Sequence, residues 1–244
     1  MGSSVAATAW VLCATVLAAP AALADASPLR SDVDPFDRAA VVEGFSATFD
    51  RFYGATRQTT AADLDICLPG RAADLDIQRY VAMWNFQRNL AGLDNLEPVL
   101  DGRVADGVHE AAMVMAANNA LSHVPRADGF RCVTDSADAA AQRSNLGLGF
   151  ERTPLGASVL SFTDDAGQSN DVVGHRIGLL NPYLTRGAVG LAREGSSAVQ
   201  MYSLSDSAWD EALQAAGGTT PEFITWPSAG YFPAPLFPAT EKEK

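Results

Sequence analysis

The sequence predicts an α+β fold, and three observations carry that reading. Apolar residues recur at helical spacing from residue 74 to about residue 120. Two strand-like runs follow at residues 188–192 and 198–204, and no internal repeat divides the chain into copies. Helices that precede strands, joined by a long loop region, describe a mixed domain whose elements pack in layers.

The elements can be justified in order. Phe45, Phe49 and Phe52 follow the i, i+4, i+7 rule, and Val41 and Val42 extend that face, which predicts a helix over 37–53. Cys67-Leu68-Pro69-Gly70 then punctuates the chain. Leu75, Ile77, Tyr80, Val81 and Trp84 mark a helix that runs to Leu90, where Ala91-Gly92 ends it. Val104, Val108, Ala111, Ala112 and Met115 mark another over 101–120, with Asp101 placed so that its carboxylate caps the first turn. Residues 125–150 read as loop, apart from an Ala-rich helical turn around 138–142. An apolar run at 158–162 precedes a polar stretch, and Ile177-Gly178-Leu179-Leu180 leads into the turn signal Asn181-Pro182. The two strand runs, with Glu194-Gly195-Ser196-Ser197 between them, predict a hairpin. The Pro- and aromatic-rich tail (Trp226-Pro227, Tyr231-Phe232-Pro233, Phe237-Pro238) reads as an ordered, extended strap.

Composition narrows the function classes. The 244 residues suffice for one substantial core, and 48% hydrophobic with 19% charged residues is a globular balance. A formal net charge of -12, with no basic run to offset it, repels phosphate backbones and excludes nucleic acid as a partner. Residues 1–24 carry no charged side chain. Their apolar segment 9–17 has the length of a signal-peptide core, and Ala22-Leu23-Ala24 fits the small-x-small cleavage rule. The segment lacks the usual Lys or Arg, which leaves an uncleaved anchor as the competing reading, although Pro20 and the short run oppose a full span. The expectation is an exported chain, secreted, periplasmic or otherwise extracellular, with no stable span once the segment is removed. Cys67 and Cys132 would then be the remaining cysteines. They read as one disulfide worth about 3–4 kcal/mol, or else as two buried thiols.

Three histidines can be weighed for chemistry. His109 lies inside a predicted helix without a partner pattern and reads as a solvated or packed helical residue. His123 ends Asn118-Asn119-Ala120-Leu121-Ser122-His123, and His175 stands in Val173-Gly174-His175-Arg176 ahead of Leu180-Asn181-Pro182. With Asn85 and Arg88 on the preceding helix, the strings Ser144-Asn145-Leu146-Gly147-Leu148-Gly149, Asp165-x-Gly167-x-x-Asn170 and Gly187-Ala188-Val189-Gly190, and the tail Trp226-Pro227-x-x-Gly230-Tyr231, this order resembles the CAP (SCP-like) superfamily, in a bacterial-type branch.

The resemblance spans residues 75–238. It implies a three-layer α-β-α sandwich, and together with the readings above the chain divides into a signal peptide (1–24), a helical approach segment (25–73), a CAP domain with its strap (74–238) and a tail (239–244). It implies a cleft lined by His123, Ser144, Asn145, Asp165, Asn170 and His175, with His123, His175 and Asp165 as the ligand set for zinc or another divalent cation. No cofactor is otherwise called for. Ser144 departs from the family, which carries a Glu at the matching place, and this removes one carboxylate from the set. The function implied is a non-catalytic module that binds a small-molecule, lipid or peptide ligand. The second reading is an extracellular hydrolase, metal-assisted or built on Ser144 with His123 or His175 as base and Asp165 as orienter. No Gly-x-Ser-x-Gly elbow surrounds Ser144.

Overall fold

The computed structural model describes residues 32–55, 59–149, 155–165, 172–194, 198–204 and 223–237. The expected signal peptide, Asn170 and the tail 239–244 lie outside the described residues. Among the described residues no helix is long and apolar enough to cross a membrane.

The predicted first helix forms as α1 (Arg38–Phe45), a π segment (Ser46–Asp50) and α2 (Arg51–Tyr53). Asp37 caps α1 by accepting the Ala39 amide at 2.8 Å. The Thr48 hydroxyl donates to the Gly44 carbonyl, a side-chain bond that competes with the helical ladder where the π segment lies. Phe49 and Phe52 are buried, as their spacing required.

A short antiparallel pair follows, β1 (Thr59–Thr60) with β2 (Arg71–Ala72). Helix α3 (Asp74–Leu90) is buried on every side from Tyr80 to Leu90. It is therefore a central helix, and Leu75, expected on its apolar face, is 46% exposed. Strand β3 (Glu97–Pro98) leads into α4 (Gly102–Asn118). Asp101 sits at the N-cap of α4 in extended conformation, but its carboxylate makes no capping bond, contrary to expectation. Helix α5 (Asp135–Gln142) starts three residues before the predicted Ala-rich turn, because the Thr134 hydroxyl caps it by accepting the Ala137 amide at 3.0 Å.

Strand β4 (Ser144–Gly149) replaces what the sequence presents as loop. It pairs antiparallel with β6 (Ala198–Leu204), from Ser144↔Leu204 to Gly149↔Val199. Two glycines and no β-branched residue make its local strand preference weak, so partner strand and burial of Leu146 decide the conformation. After α6 (Leu155–Asp164) and α7 (Gly174–Leu179), β5 (Arg186–Glu194) and β6 form the predicted hairpin, extended by two residues at each end of β5. The sheet order is β3-β5-β6-β4, with β3 parallel to β5.

The two faces of β5 serve different cores. Val189 and Leu191 join the aromatic-rich cluster of α3, which includes Tyr80, Trp84, Phe86 and Phe162. Ala188 and Ala192 join the small-residue cluster of α4 and α5. Gly190 allows the closest approach, since a Cβ there would lie 2.0 Å from the Val108 carbonyl oxygen. The strap closes the aromatic side. Leu236 is buried, Trp226 and Phe232 pack on the cluster, and the Tyr231 amide donates to the Pro35 carbonyl at 2.7 Å.

Candidate functional site

Two turns in the left-handed backbone region bring His175 and Asp165 together. Asp165, just past α6, and Val173, at the start of α7, both have φ of 47°. Asp165 is thereby directed at the first turn of α7. One carboxylate oxygen lies 2.8 Å from His175 Nδ1, and the other accepts the amides of His175 at 3.0 Å and Arg176 at 3.3 Å. The Asp165 side chain is 3% exposed and that of His175 is 40% exposed, so the acid is held inside while the imidazole reaches solvent. The Phe162 ring backs the imidazole at a centroid distance of 5.1 Å.

Neighbouring side chains fix this pair. Asn145, at the start of β4, donates to the His175 carbonyl at 2.8 Å. Its amide occupies the space beside Gly178, where a Cβ would lie 2.7 Å from the Asn145 oxygen. Arg176 donates to the carbonyls of Thr163 and Asp164, both at 2.6 Å, and so fills the end of α6 rather than presenting an anion site. Burial raises the Asp164 carboxyl above its ordinary value, with Arg176 opposing the rise and Asp165 adding to it.

His123 follows the end of α4 in a loop that Ser122 shapes. The Ser122 hydroxyl donates to Asp128 at 2.6 Å and accepts the Val124 amide at 2.9 Å. His123 is exposed, and its Nδ1 lies 2.8 Å from the Ala141 carbonyl oxygen at the end of α5. The preceding carbonyl, of Ala140, accepts the Ser144 hydroxyl at 2.7 Å. Ser144 is 3% exposed, so its hydroxyl is a buried structural donor rather than a poised nucleophile. Cys67 and Cys132 form a disulfide with Cα atoms 5.3 Å apart, which anchors the loop beyond His123 to the turn after β1. Closing a segment of 65 residues contributes about 4 kcal/mol on chain-entropy grounds.

Of the residues singled out in the sequence, Asp165, His175 and Asn145 are in direct contact, and Ser144 and His123 meet the last turn of α5. The three-residue metal set is not assembled. Among the described residues no three His, Cys, Asp or Glu side chains are grouped to hold an ion, and Asp165 spends both oxygens on α7. Asp165 orients the His175 imidazole through Nδ1. Two surface cavities, of about 250 and 270 Å³, are lined by neither histidine.

Sequence reasoning assigned no role to the residues beneath α7. Arg88 is fully buried and donates to the carbonyls of Asp94, Leu179, Asn181 and Leu184, at 2.9, 3.0, 2.8 and 3.4 Å. The Trp84 indole donates to the same Leu179 carbonyl at 2.8 Å. Burial pushes the Arg88 guanidinium down to about 10, which leaves it charged at neutral pH. The polar residues Asn85 and Arg88, on a helix whose apolar positions predict burial, were the available signal. His109 is the packed histidine expected. Its Nδ1 donates to the Ala105 carbonyl, its Nε2 accepts the Ala72 amide at 3.0 Å, and burial lowers its pKa.

No protein-family model, no curated protein and no solved structure matches the chain.

Proposed function

We propose that this chain is an exported binding protein of CAP type, whose ligand face is formed by the imidazoles of His123 and His175. One observation carries the reading. Each ring spends Nδ1 on an oxygen acceptor, the Ala141 carbonyl or the Asp165 carboxylate, both at 2.8 Å. A carbonyl or carboxylate can only accept, so Nδ1 carries the proton, and in the neutral imidazole Nε2 offers a lone pair. Two oriented acceptors on solvent-reaching rings suit a ligand that donates hydrogen bonds. Exposed apolar side chains flank each ring in sequence, Leu121 and Val124 beside His123, Val172 and Ile177 beside His175. They add affinity for a ligand with an apolar body.

The CAP-type α-β-α sandwich is supported by the two cores that share β5, one built on α3 and the other on α4. Export is supported by the Cys67–Cys132 disulfide, which persists in oxidising compartments. The buried Ser144 hydroxyl and the employed Asp165 carboxylate favour binding over hydrolysis.

The test is a screen of small polar and amphipathic compounds against the full chain, read by NMR at the two imidazole Hε1 resonances. Compounds that shift both resonances, and lose their effect in His175→Ala while the fold persists, support the reading. A screen in which only one ring ever responds would overturn it.

A further inference from the structure

His109 is a buried pin in the joint between the β1–β2 pair and α4. Its Nδ1 bonds to the Ala105 carbonyl at 2.7 Å, and its Nε2 accepts the Ala72 amide of β2 at 3.0 Å. A carbonyl only accepts, so the proton sits on Nδ1 and Nε2 is the acceptor for β2. Arg71 also ties β2 at this end, donating to the Leu100 carbonyl and pairing with Asp106 at 3.5 Å. Both side chains of that ion pair are exposed, 42% and 60%, so it contributes little. The imidazole–amide bond is buried, and it closes the joint. The turn between β1 and β2 is held separately, by the Cys67–Cys132 disulfide and by Leu64 in the core of α4 and α5.

A second proton on this ring turns attraction into repulsion. Protonated Nε2 is a donor, and it would face the N–H of Ala72, so the bond that closes the joint cannot form. A buried imidazolium also loses its hydration without gaining a partner for that N–H. Burial is the largest influence on the ring and lowers its pKa. Arg71 of β2 lowers it further, while the Ala105 carbonyl, Asp106 of α4 and Asp74 of α3 oppose the fall. Other acids of this layer are spent elsewhere. Glu110 accepts the hydroxyls of Thr134 and Ser136, and Asp135 and Asp138 of α5 bond to Arg126. We propose that His109 is an acid-sensitive latch: proton uptake opens the joint between β2 and α4, while the disulfide keeps the β1–β2 pair tethered. The opening is local. It frees Ala72 with its ladder partner Thr59 and uncovers the His109 face of α4, and it leaves α3 folded.

The test is amide exchange of the full, disulfide-bonded chain, followed by NMR between about pH 7.5 and 5.5 and corrected for intrinsic rates. An open joint binds the proton at the ordinary histidine value of about 6.5, and the closed joint refuses it. Protection of Ala72 is therefore expected to fall about tenfold across that range, the dependence of an opening coupled to one proton. Amides 80–90 of α3 are expected to change less than about twofold. His109→Gln supplies an amide that can accept from Ala72 and donate to Ala105 without titrating, so Ala72 protection is expected to be flat with pH. His109→Phe has no acceptor, and Ala72 is expected to exchange fast at both ends of the range. Flat protection of Ala72 in the wild type, or the same tenfold fall in His109→Gln, would overturn the proposal. So would an equal loss of protection in α3, which would mean that acid loosens the whole molecule. The wild-type contrast between Ala72 and α3 decides this point even where a variant fails to fold.

Discussion

Two of the chain's three histidines, His109 and His175, contrast in how their ring nitrogens are used. His109 lies in the α4 layer with both ring nitrogens engaged, one by the Ala105 carbonyl and one by the Ala72 amide, at 3% exposure. His175 lies at the start of α7 with Nδ1 engaged by Asp165, on a side chain that is 40% exposed. The first is a tie between two elements. The second is held as firmly but has bonding capacity left over. A histidine with both nitrogens satisfied belongs to the fold; a histidine fixed through one nitrogen is available for a ligand.

That contrast can be broken in four ways, taken from the largest expected effect. Arg88→Ala removes donors from four carbonyls and leaves a cavity, so a loss of about 3–4 kcal/mol is expected in urea unfolding. The same variant is expected to speed amide exchange through 174–184, because Arg88 holds the carbonyls of that stretch. Exchange that rises equally in α4 would show that Arg88 does not act locally.

Next, His109→Phe keeps the bulk but leaves the Ala72 amide without its acceptor, at a cost of about 1–3 kcal/mol. Its pH signature has a definite sign. Burial holds the folded-state pKa of His109 below the ordinary 6.5. Its contribution is therefore complete above pH 6.5. As pH falls below that value the unfolded chain binds a proton that the native state refuses, and stability drops until the folded pKa is passed. Chemical denaturation between pH 7.5 and 5 should show this decline in the wild type and a flatter profile in His109→Phe.

Asp165→Asn comes third. It weakens the bonds to the two α7 amides, with an expected loss of about 1–2 kcal/mol. It also frees the imidazole tautomer, which long-range ¹H–¹⁵N spectra of His175 would reveal as a mixture of Nδ1- and Nε2-protonated forms. An unchanged single tautomer would mean that the carboxylate does not set the orientation. Finally, His175→Ala is expected to cost under about 1 kcal/mol, since the ring is partly exposed and Asp165 keeps its amide bonds. A loss matching that of His109→Phe would erase the distinction between the two histidines.

The sequence made the long helices legible because α4 has a clear apolar face and α3 is bounded by Asp74 and the Ala91-Gly92 stop. The limits of α3 and the hairpin of β5 and β6 stand where apolar spacing and the intervening turn residues put them. Strand β4 was not legible, since Ser144-Asn145-Leu146-Gly147-Leu148-Gly149 has little strand preference and is specified by β6. Asp101 misled in the opposite sense, being a favoured capping residue in the right place whose side chain does not cap. In the site, residue types were readable but bonding was not. Asp165 has the chemistry of a ligand, yet a left-handed turn aims it at two amides and an imidazole. The cage around Arg88 was beyond reach, because three of its four carbonyls belong to residues more than ninety positions away.

The contact between Tyr231 and Pro35 joins one end of the described chain to the other. Closing so long a loop carries a large entropic cost that a few contacts must offset, so local opening is expected to begin at the strap. A chain truncated before residue 223 would leave the aromatic cluster open where Trp226, Phe232 and Leu236 now pack against it.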